Sequence, residues 1–471
     1  MNTLSARQLV ALLEGWRSAG IAYTALADRI RLLILDGRVS TGTRLPAERE
    51  LAAHLRVSRT TVTAAYAELR QLGFLSSIRG SGSVARLPYA VPAAPEAQPG
   101  YLDLSKATMP AIPEVLAAAR LAAEQLPAYI GESGFDPVGL PVLRRAIADR
   151  YTARGLPTEP EQIMVTIGAQ HAIALIARTI LARGDRALIE NPTYPHALES
   201  LKAAGARIAP VSVTAEEGWD DVALEQVIQR TSPSLGYLMP DFHNPTGRSM
   251  SAEQKERVLG LAARHGTTII ADETMAELGL DDVPAALPFA AHGPAVLVGS
   301  VGKTVWGGVR IGWIRADRTV IQRLVRARFS GDLGTPLLEQ LVVANLLADF
   351  DRILDSRRAY LREGRARLER LLHEKLPDWR VPHAGGGLTA WVNLGHPVSS
   401  QLALAARNEG LVIAAGPRFG VDGAFERFLR VPFSYPADET ERAVDALAAA
   451  WVTVGRHPMP EASADLSASV V

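Results

Sequence analysis

Residues 299–313 read GSVGKTVWGGVRIGW: an apolar run ends at Ser300, Lys303 follows three residues later, and Arg310 seven after that. Upstream stand Gly168-Ala169-Gln170, Asn244-Pro245-Thr246-Gly247 and Asp272, each after an apolar run with the length of a buried strand. Those runs (QIMVTIG, RALIEN, LGYLMPDF, TTIIADE, AVLVGSV and RIGWIRA) alternate with helical patterns, which predicts an α/β domain on a large, mostly parallel sheet. Open α/β sheets collect ligands beyond the carboxyl ends of their strands. Each polar fragment falls at such an end.

The chain of 471 residues is long enough for two or three domains. It has no cysteine, so disulfides and thiolate chemistry are excluded. No apolar run is long enough to span a bilayer and no signal-peptide pattern opens the chain, so the expectation is a cytoplasmic protein without a membrane. The net charge of zero hides an asymmetry. Residues 1–86 hold 12 arginines and no lysine against 6 acids, a balance of +6, which leaves −6 on the rest. A small basic module beside a larger acidic one suits a nucleic-acid reader joined to a ligand-binding body.

Residues 24–36 predict an amphipathic helix through Leu26, Ile30, Leu33 and Ile34, ended by Gly37. Pro46 is expected in the first turn of a second helix, AERELAAHLRV, and Ser58 caps a third, RTTVTAAYAELRQL, ended by Gly73. FLSSIRGSGSVARL then reads as a hairpin wing around Gly80-Ser81-Gly82. This is a winged helix-turn-helix over 20–86. In that arrangement Arg59, Thr60, Thr61 and Thr63, with Ser58, stand at the end of the recognition helix that reaches base edges of double-stranded DNA. Arg44 and Arg49 suit phosphate contacts, and Arg79 beside Gly80 suits a minor groove. Residues 87–100 form a Pro/Ala linker, 101–455 the α/β body, and 457–471 a tail too small and polar to fold.

A primary amine, a carboxylate, an amide and an anion-binding turn are what pyridoxal 5'-phosphate requires. Lys303 supplies the amine for a Schiff base with the cofactor's aldehyde. Asp272 keeps the pyridine nitrogen protonated. Gly168, Ala169 and Gln170 offer the phosphate a helix N-terminus, joined by Ser300 and Arg310. Asn244 donates to the phenolic oxygen, and Tyr194 in ENPTYP stacks on the ring. Each fragment alone is weak, since an NPTG turn or a lysine is commonplace; their order along the chain carries the reading.

The run RLPAERELAAHLRVSRTTVTAAYAELRQLGFL resembles the GntR family of bacterial regulators, although some members carry arginine where Thr63 stands. The order of motifs over 101–455 resembles the fold-type-I aminotransferase superfamily, which implies a mixed sheet with a smaller C-terminal α+β subdomain and no metal. The resemblance implies that Arg430, in RFLRVPFSY, grips a carboxylate. Two departures stand out. Thr274 and Met275 replace the tyrosine that relatives carry after the ring-nitrogen aspartate, and Phe135 replaces one that reaches the partner's phosphate, with Tyr129 as a stand-in. Head and body together resemble the MocR subfamily of transcription regulators. That implies a head-to-tail homodimer that binds an operator and senses an amino compound, or pyridoxal phosphate itself, through an aldimine at Lys303. An active aminotransferase with an accessory head is the alternative, as is a body that only dimerises; whether transamination turns over stays open.

Overall fold

The computed structural model describes residues 4–13, 16, 22–35, 39, 43–78, 82–86, 101–281, 286–421 and 423–455. Arg79, Gly80, Gly37, the 87–100 linker and the 457–471 tail lie outside them.

In the head, four helices, Ala6–Leu12 (α1), Ala22–Leu35 (α2), Glu48–Leu55 (α3) and Arg59–Gln71 (α4), pack through Leu9, Leu26, Ile30, Leu51, Val62 and Leu69. The Ser58 hydroxyl accepts from the Thr61 amide at 3.1 Å, satisfying an otherwise orphaned donor where α4 begins. Strands Leu75–Ile78 (β1) and Gly82–Ala85 (β2) pair antiparallel as the wing. Pro46 departs from expectation: α3 begins at Glu48 after Ala47, so the proline precedes the helix. Its carbonyl is held there by the buried Tyr66 hydroxyl at 3.0 Å.

The body begins with Leu102–Asp103 (β3) and is built on eight strands: Ile163–Thr166 (β4), Arg186–Asn191 (β5), Arg207–Thr214 (β6), Gly218–Trp219 (β7), Leu235–Leu238 (β8), Thr268–Asp272 (β9), Val296–Ser300 (β10) and Gly312–Arg315 (β11). Their order is β4-β11-β10-β9-β8-β5-β6-β7. Every pairing from β10 through β9, β8 and β5 to β6 is parallel; β11 runs antiparallel to both its neighbours, and β7 to β6. β4, β8 and β11 are buried at every position, as apolar runs covered on both faces should be. The carboxyl ends of β4, β5, β8, β9 and β10 therefore share one edge of the sheet.

A smaller antiparallel sheet joins Thr389–Asn393 (β12), Phe428–Pro432 (β15) and Ala414–Ala415 (β14), while Leu411–Val412 (β13) pairs with β3. The helices Phe350–Lys375, Ser399–Asn408 and Ala437–Gly455 accompany it. Head meets body at an ion pair, Arg29 Nη2 to Glu426 Oε1 at 3.7 Å.

Candidate cofactor and DNA-binding sites

A cavity of about 660 Å³ opens where the parallel strands end, and Gly168, Ala169, Gln170, Tyr194, Asn244, Asp272, Ser300, Lys303, Arg310 and Arg430 all line it. Thus residues separated by up to a few hundred positions in the chain face one space.

Lys303 donates from Nζ to the Ala107 carbonyl at 2.6 Å. Burial, reinforced by Arg430, lowers its pKa to about 8, while Asp272 pulls the other way. The amine is thereby closer to its nucleophilic form at neutral pH than an exposed lysine. Asp272 ends β9, and burial raises its pKa against the donors that favour its charged form. Those donors are the Thr274 side chain and its amide, the latter at 3.0 Å, and the Tyr237 hydroxyl at 2.7 Å.

Gly168 takes φ +82°, a left-handed conformation open to glycine, and starts the helix Ala169–Ile180. The first amides of that helix have no intrahelical acceptor. Arg310 lies alongside and donates to the Ile167 carbonyl at 3.1 Å. The Ser300 hydroxyl bonds the Ile311 carbonyl at 2.9 Å and accepts from the Gly302 amide at 3.0 Å. Gln170 turns its side-chain amide away, to the His196 carbonyl and Ser200 hydroxyl, so its backbone amide is the group available to a phosphate. Burial, with the charge of Asp272, pushes the Tyr194 phenol up to about 12.

Arg430, on β15, is 6% exposed and lies 4.8 Å above the Phe419 ring. Burial lowers its pKa to about 10. It donates to the Ser105 carbonyl, yet its Nε has no partner, and neither does Asn244 Oδ1. Buried polar atoms are normally satisfied. Both residues line the cavity, and unpaired polar groups at its wall fit a ligand with oxygen-rich and polar groups. The raised Asp272 fits a cationic ring nitrogen, and the helix start fits a phosphate, so the residues present suit pyridoxal phosphate. Phe135 is 68% exposed, and neither it nor Tyr129 is among the lining residues.

Sequence reading missed several contributors. Tyr237 on β8 orients Asp272 from 35 positions away. His243, fully buried, places Nδ1 2.9 Å from the Thr246 hydroxyl and Nε2 3.3 Å from Glu190, bracing the turn that presents Asn244. Gly312 lies so close to Gly168 that a Cβ there would come within 2.6 Å of its carbonyl carbon.

On the head, Arg44, Arg49, Arg59 and Arg70 line one concave surface with Ser77, Gly82 and Ser83. Arg70, absent from the sequence reading, pairs with Glu48 at 2.9 Å. Thr60 and Thr61 direct their hydroxyls to Ser58 Oγ at 2.7 and 2.8 Å. Thr63 donates to Glu48 at 2.8 Å, tying α4 to α3.

Residues 102–447 match the family of class I and II aminotransferases, and residues 22–84 match the bacterial regulatory proteins of the gntR family. The chain belongs to the class I and II aminotransferase family and carries a GntR head, the pairing of the MocR subfamily. An HTH-type transcriptional regulator of Bacillus subtilis, YisV, is 28% identical over 441 residues, 85% of this chain and 90% of the relative. The 2-aminoadipate transaminase of Thermus thermophilus is 30% identical over 60% of this chain and 73% of its own length. The crystal structure of LysN, an α-aminoadipate aminotransferase from Thermus thermophilus, superposes with a TM-score of 0.67 at 28% identity, covering 75% of this MocR-type chain and 93% of LysN. Its cofactor class is that of the family, pyridoxal phosphate. Among the described residues no helix is long and apolar enough to cross a membrane.

Proposed function

We propose that this MocR-type regulator holds pyridoxal phosphate on Lys303, reads an amino compound at Arg430, and transmits its occupancy to operator DNA bound by the head. The observation that carries this reading is the convergence of Lys303, Asp272, Asn244 and Arg430 on one cavity in a chain that also presents Arg44 and Arg59 on a winged helix-turn-helix. Bound there, pyridoxal phosphate supplies an aldehyde that condenses with primary amines and a ring that draws electron density from them. Lys303 holds the aldehyde carbon, Asp272 holds a proton at the ring nitrogen, and Asn244 donates to the phenolic oxygen. The helix start at Gly168 binds the phosphate with Ser300 and Arg310, and Arg430 receives the carboxylate of the amino compound.

A second copy of the chain is the expected partner. Ile130 and Phe135 are 72% and 68% exposed, and Leu116, Val142, Phe329 and Leu333 add exposed apolar surface. Their segments meet where Gly334 lies against the Asp136 backbone. Exposed apolar surface of this kind supports burial in a dimer. The head-to-tail arrangement predicts cross-links between the head of one copy and the body of the other.

The test is the visible spectrum of the purified protein with pyridoxal phosphate, before and after a panel of amino compounds, followed by operator binding with the compound that moves it. A band that forms on Lys303 and DNA affinity that changes with the compound support the regulator. The aminotransferase reading is favoured by the 30% identity to a transaminase. Sustained turnover with a keto-acid acceptor, without any change in DNA affinity, would put that reading first.

A further inference from the structure

Gly168 begins the helix Ala169–Ile180 with no side chain to cap it, which leaves the first amides open to an anion. A turn left open in this way needs fixing points elsewhere. Thr166 supplies one, its hydroxyl donating to the Gly168 carbonyl at 3.1 Å. Arg310 supplies another at the Ile167 carbonyl, and its guanidinium lies 3.2 Å from where a Cβ on Gly168 would stand. The third is His171, the third residue of the helix. Its ring reaches back, and the Ile167 amide donates to Nδ1 at 3.2 Å. The Ile167 peptide is thus gripped on both sides, by His171 at its nitrogen and by Arg310 at its oxygen.

That geometry decides where the ring carries its proton. A backbone amide only donates, so Nδ1 must offer a lone pair and the ring N–H sits at Nε2. Nε2 lies 3.0 Å from Oδ2 of Asp332. Asp332 is itself placed by Arg328, whose Nε donates to Oδ1 at 2.6 Å and whose Nη1 donates to the Val165 carbonyl of β4 at 2.8 Å. Strand end, turn and helix start therefore form one hydrogen-bonded unit. A second proton would set an N–H on Nδ1 against the N–H of Ile167, and the grip would be lost. Burial, with the cations Arg328 and Arg178, holds the His171 pKa below its ordinary value against the opposing charge of Asp332. At neutral pH the ring is in its gripping form.

We propose that His171 is a positioning residue for the cofactor's phosphate: its neutral ring holds the Ile167 peptide so that the helix start and Arg310 face the phosphate together, and a protonated ring releases them. This rests on the cofactor placement proposed above and adds a proton-dependent step to it.

The experiment is equilibrium titration of the full chain with pyridoxal 5'-phosphate, and with pyridoxal, which lacks the phosphate, followed by visible absorbance from about pH 5 to neutrality. Three proteins are compared. The parent stands beside His171→Leu, which has no acceptor, and His171→Asn, whose Oδ1 is as many bonds from Cα as Nδ1 and accepts without titrating. Ionisation of the phosphate and of Lys303 is common to all three, so the ratios between them isolate the ring. At neutral pH His171→Leu should bind pyridoxal phosphate about tenfold more weakly than the parent, the effect of one amide left without an acceptor. His171→Asn should recover that loss. At about pH 5 the parent should converge on His171→Leu, while His171→Asn stays about tenfold tighter than both. Pyridoxal should not distinguish the three. Melting curves at each pH show that they are folded, and if His171→Leu is not, the parent and His171→Asn decide the matter between them. One pH curve shared by parent and His171→Asn, a folded His171→Leu with the parent's affinity, or a His171→Leu that loses pyridoxal and pyridoxal phosphate alike overturns the proposal. A chain that forms no band with pyridoxal phosphate overturns the cofactor placement itself, and this inference with it; normal uptake with one pH curve for all three proteins overturns this inference alone.

Discussion

The Tyr237 hydroxyl donates to Oδ2 of Asp272 over 2.7 Å, while the Thr274 amide donates to Oδ1 over 3.0 Å. A side-chain hydroxyl from the neighbouring strand β8 and a backbone amide just past β9 hold the carboxylate at the end of β9. Burial outweighs them and lifts its pKa above the usual carboxylate value. The site thus keeps an acid whose charge is costly until a cation approaches it, which is the property the proposed pairing with the cofactor's ring nitrogen requires.

The cost has a pH signature. With its folded pKa above the unfolded one, Asp272 makes the cofactor-free folded state bind more protons between those two values, so its contribution to stability falls as pH rises through that window. Asp272→Asn removes this slope. At neutral pH the cofactor-free variant is expected to melt higher than the parent, and at about pH 4 the advantage should vanish. Affinity for pyridoxal phosphate should fall at the same time. Melting curves across pH check it; identical slopes in variant and parent would refute the assignment.

Lys303 predicts the rate of cofactor capture. Only the neutral amine attacks an aldehyde. Its pKa of about 8, set by burial and then by Arg430, means that the rate of band formation should rise with pH and level off above about 8 instead of continuing towards the ordinary lysine value. Arg430→Gln removes a neighbouring cation and should move the midpoint upward. Lys303→Ala should give no covalent band at any pH and retain DNA binding. Rapid mixing with pyridoxal phosphate across a pH series measures all three.

Much of this site was legible because its strands are short, largely apolar and mostly buried: every position of IMVT and LGYL is buried. Ser58 was legible for a local reason, since an N-cap acts on an amide three residues away. Long-range polar contacts gave no such signal. Glu190, Trp219 and His243 meet in one buried cluster, and nothing in their spacing says so. β6, RIAPVSVT, near the far side of the sheet, carries Pro210 and buries only Val211 and Val213, and it did not read as a strand. Arg430 could also be read from the sequence as a surface charge on a strand; β15, between β12 and β14, instead buries it.

On the DNA side, Arg59 and Arg44 should separate in kind. Arg59 begins α4, where base edges come within reach, and Arg59→Ala is expected to cost about 1–3 kcal/mol concentrated at one base pair. Arg44 lies beside Gly82 of the wing, and Arg44→Ala should weaken binding evenly across sequences and lower the salt slope by about one. Thr63→Val should leave sequence preference intact, because its hydroxyl already serves Glu48. Anisotropy titrations over single-base operator variants and a salt series distinguish these outcomes.

Glu426 is placed to couple the two parts. Its carboxylate accepts from the Ser400 amide at 2.9 Å and hydroxyl at 2.8 Å, and it faces Arg29 of the head at 3.7 Å. Ser400 lines the cavity, so a ligand that shifts the helix Ser399–Asn408 also shifts the acid that holds the head. A ligand moves an equilibrium only through such differential contacts. Glu426→Gln keeps an acceptor for Ser400 and removes the charge. The ratio of DNA affinities with and without the effector, about 5–150-fold where coupling is of ordinary size, is expected to fall towards one while the cofactor spectrum stays the same. An unchanged ratio would mean that the signal travels elsewhere.

Gly312 gives the sharpest test of where the phosphate sits. It pairs with Thr166 across β11 and β4, which brings its Cα against the turn that begins the helix Ala169–Ile180. A Cβ there would lie 2.6 Å from the Gly168 carbonyl carbon and 2.8 Å from the Ala169 nitrogen. Both obstacles are backbone, which cannot swing aside as a side chain can, so Gly312→Ala must push the helix start away from Ser300 and Arg310. Overpacking of this kind costs about 1–3 kcal/mol, and here the displaced amides are those assigned to the phosphate. Affinity for pyridoxal phosphate should therefore drop by about tenfold or more, beyond any loss in melting temperature. Gly131→Ala, where a Cβ meets nothing within 4 Å, is the neutral control. If Gly312→Ala binds the cofactor as tightly as the parent, the phosphate is not held by that helix start.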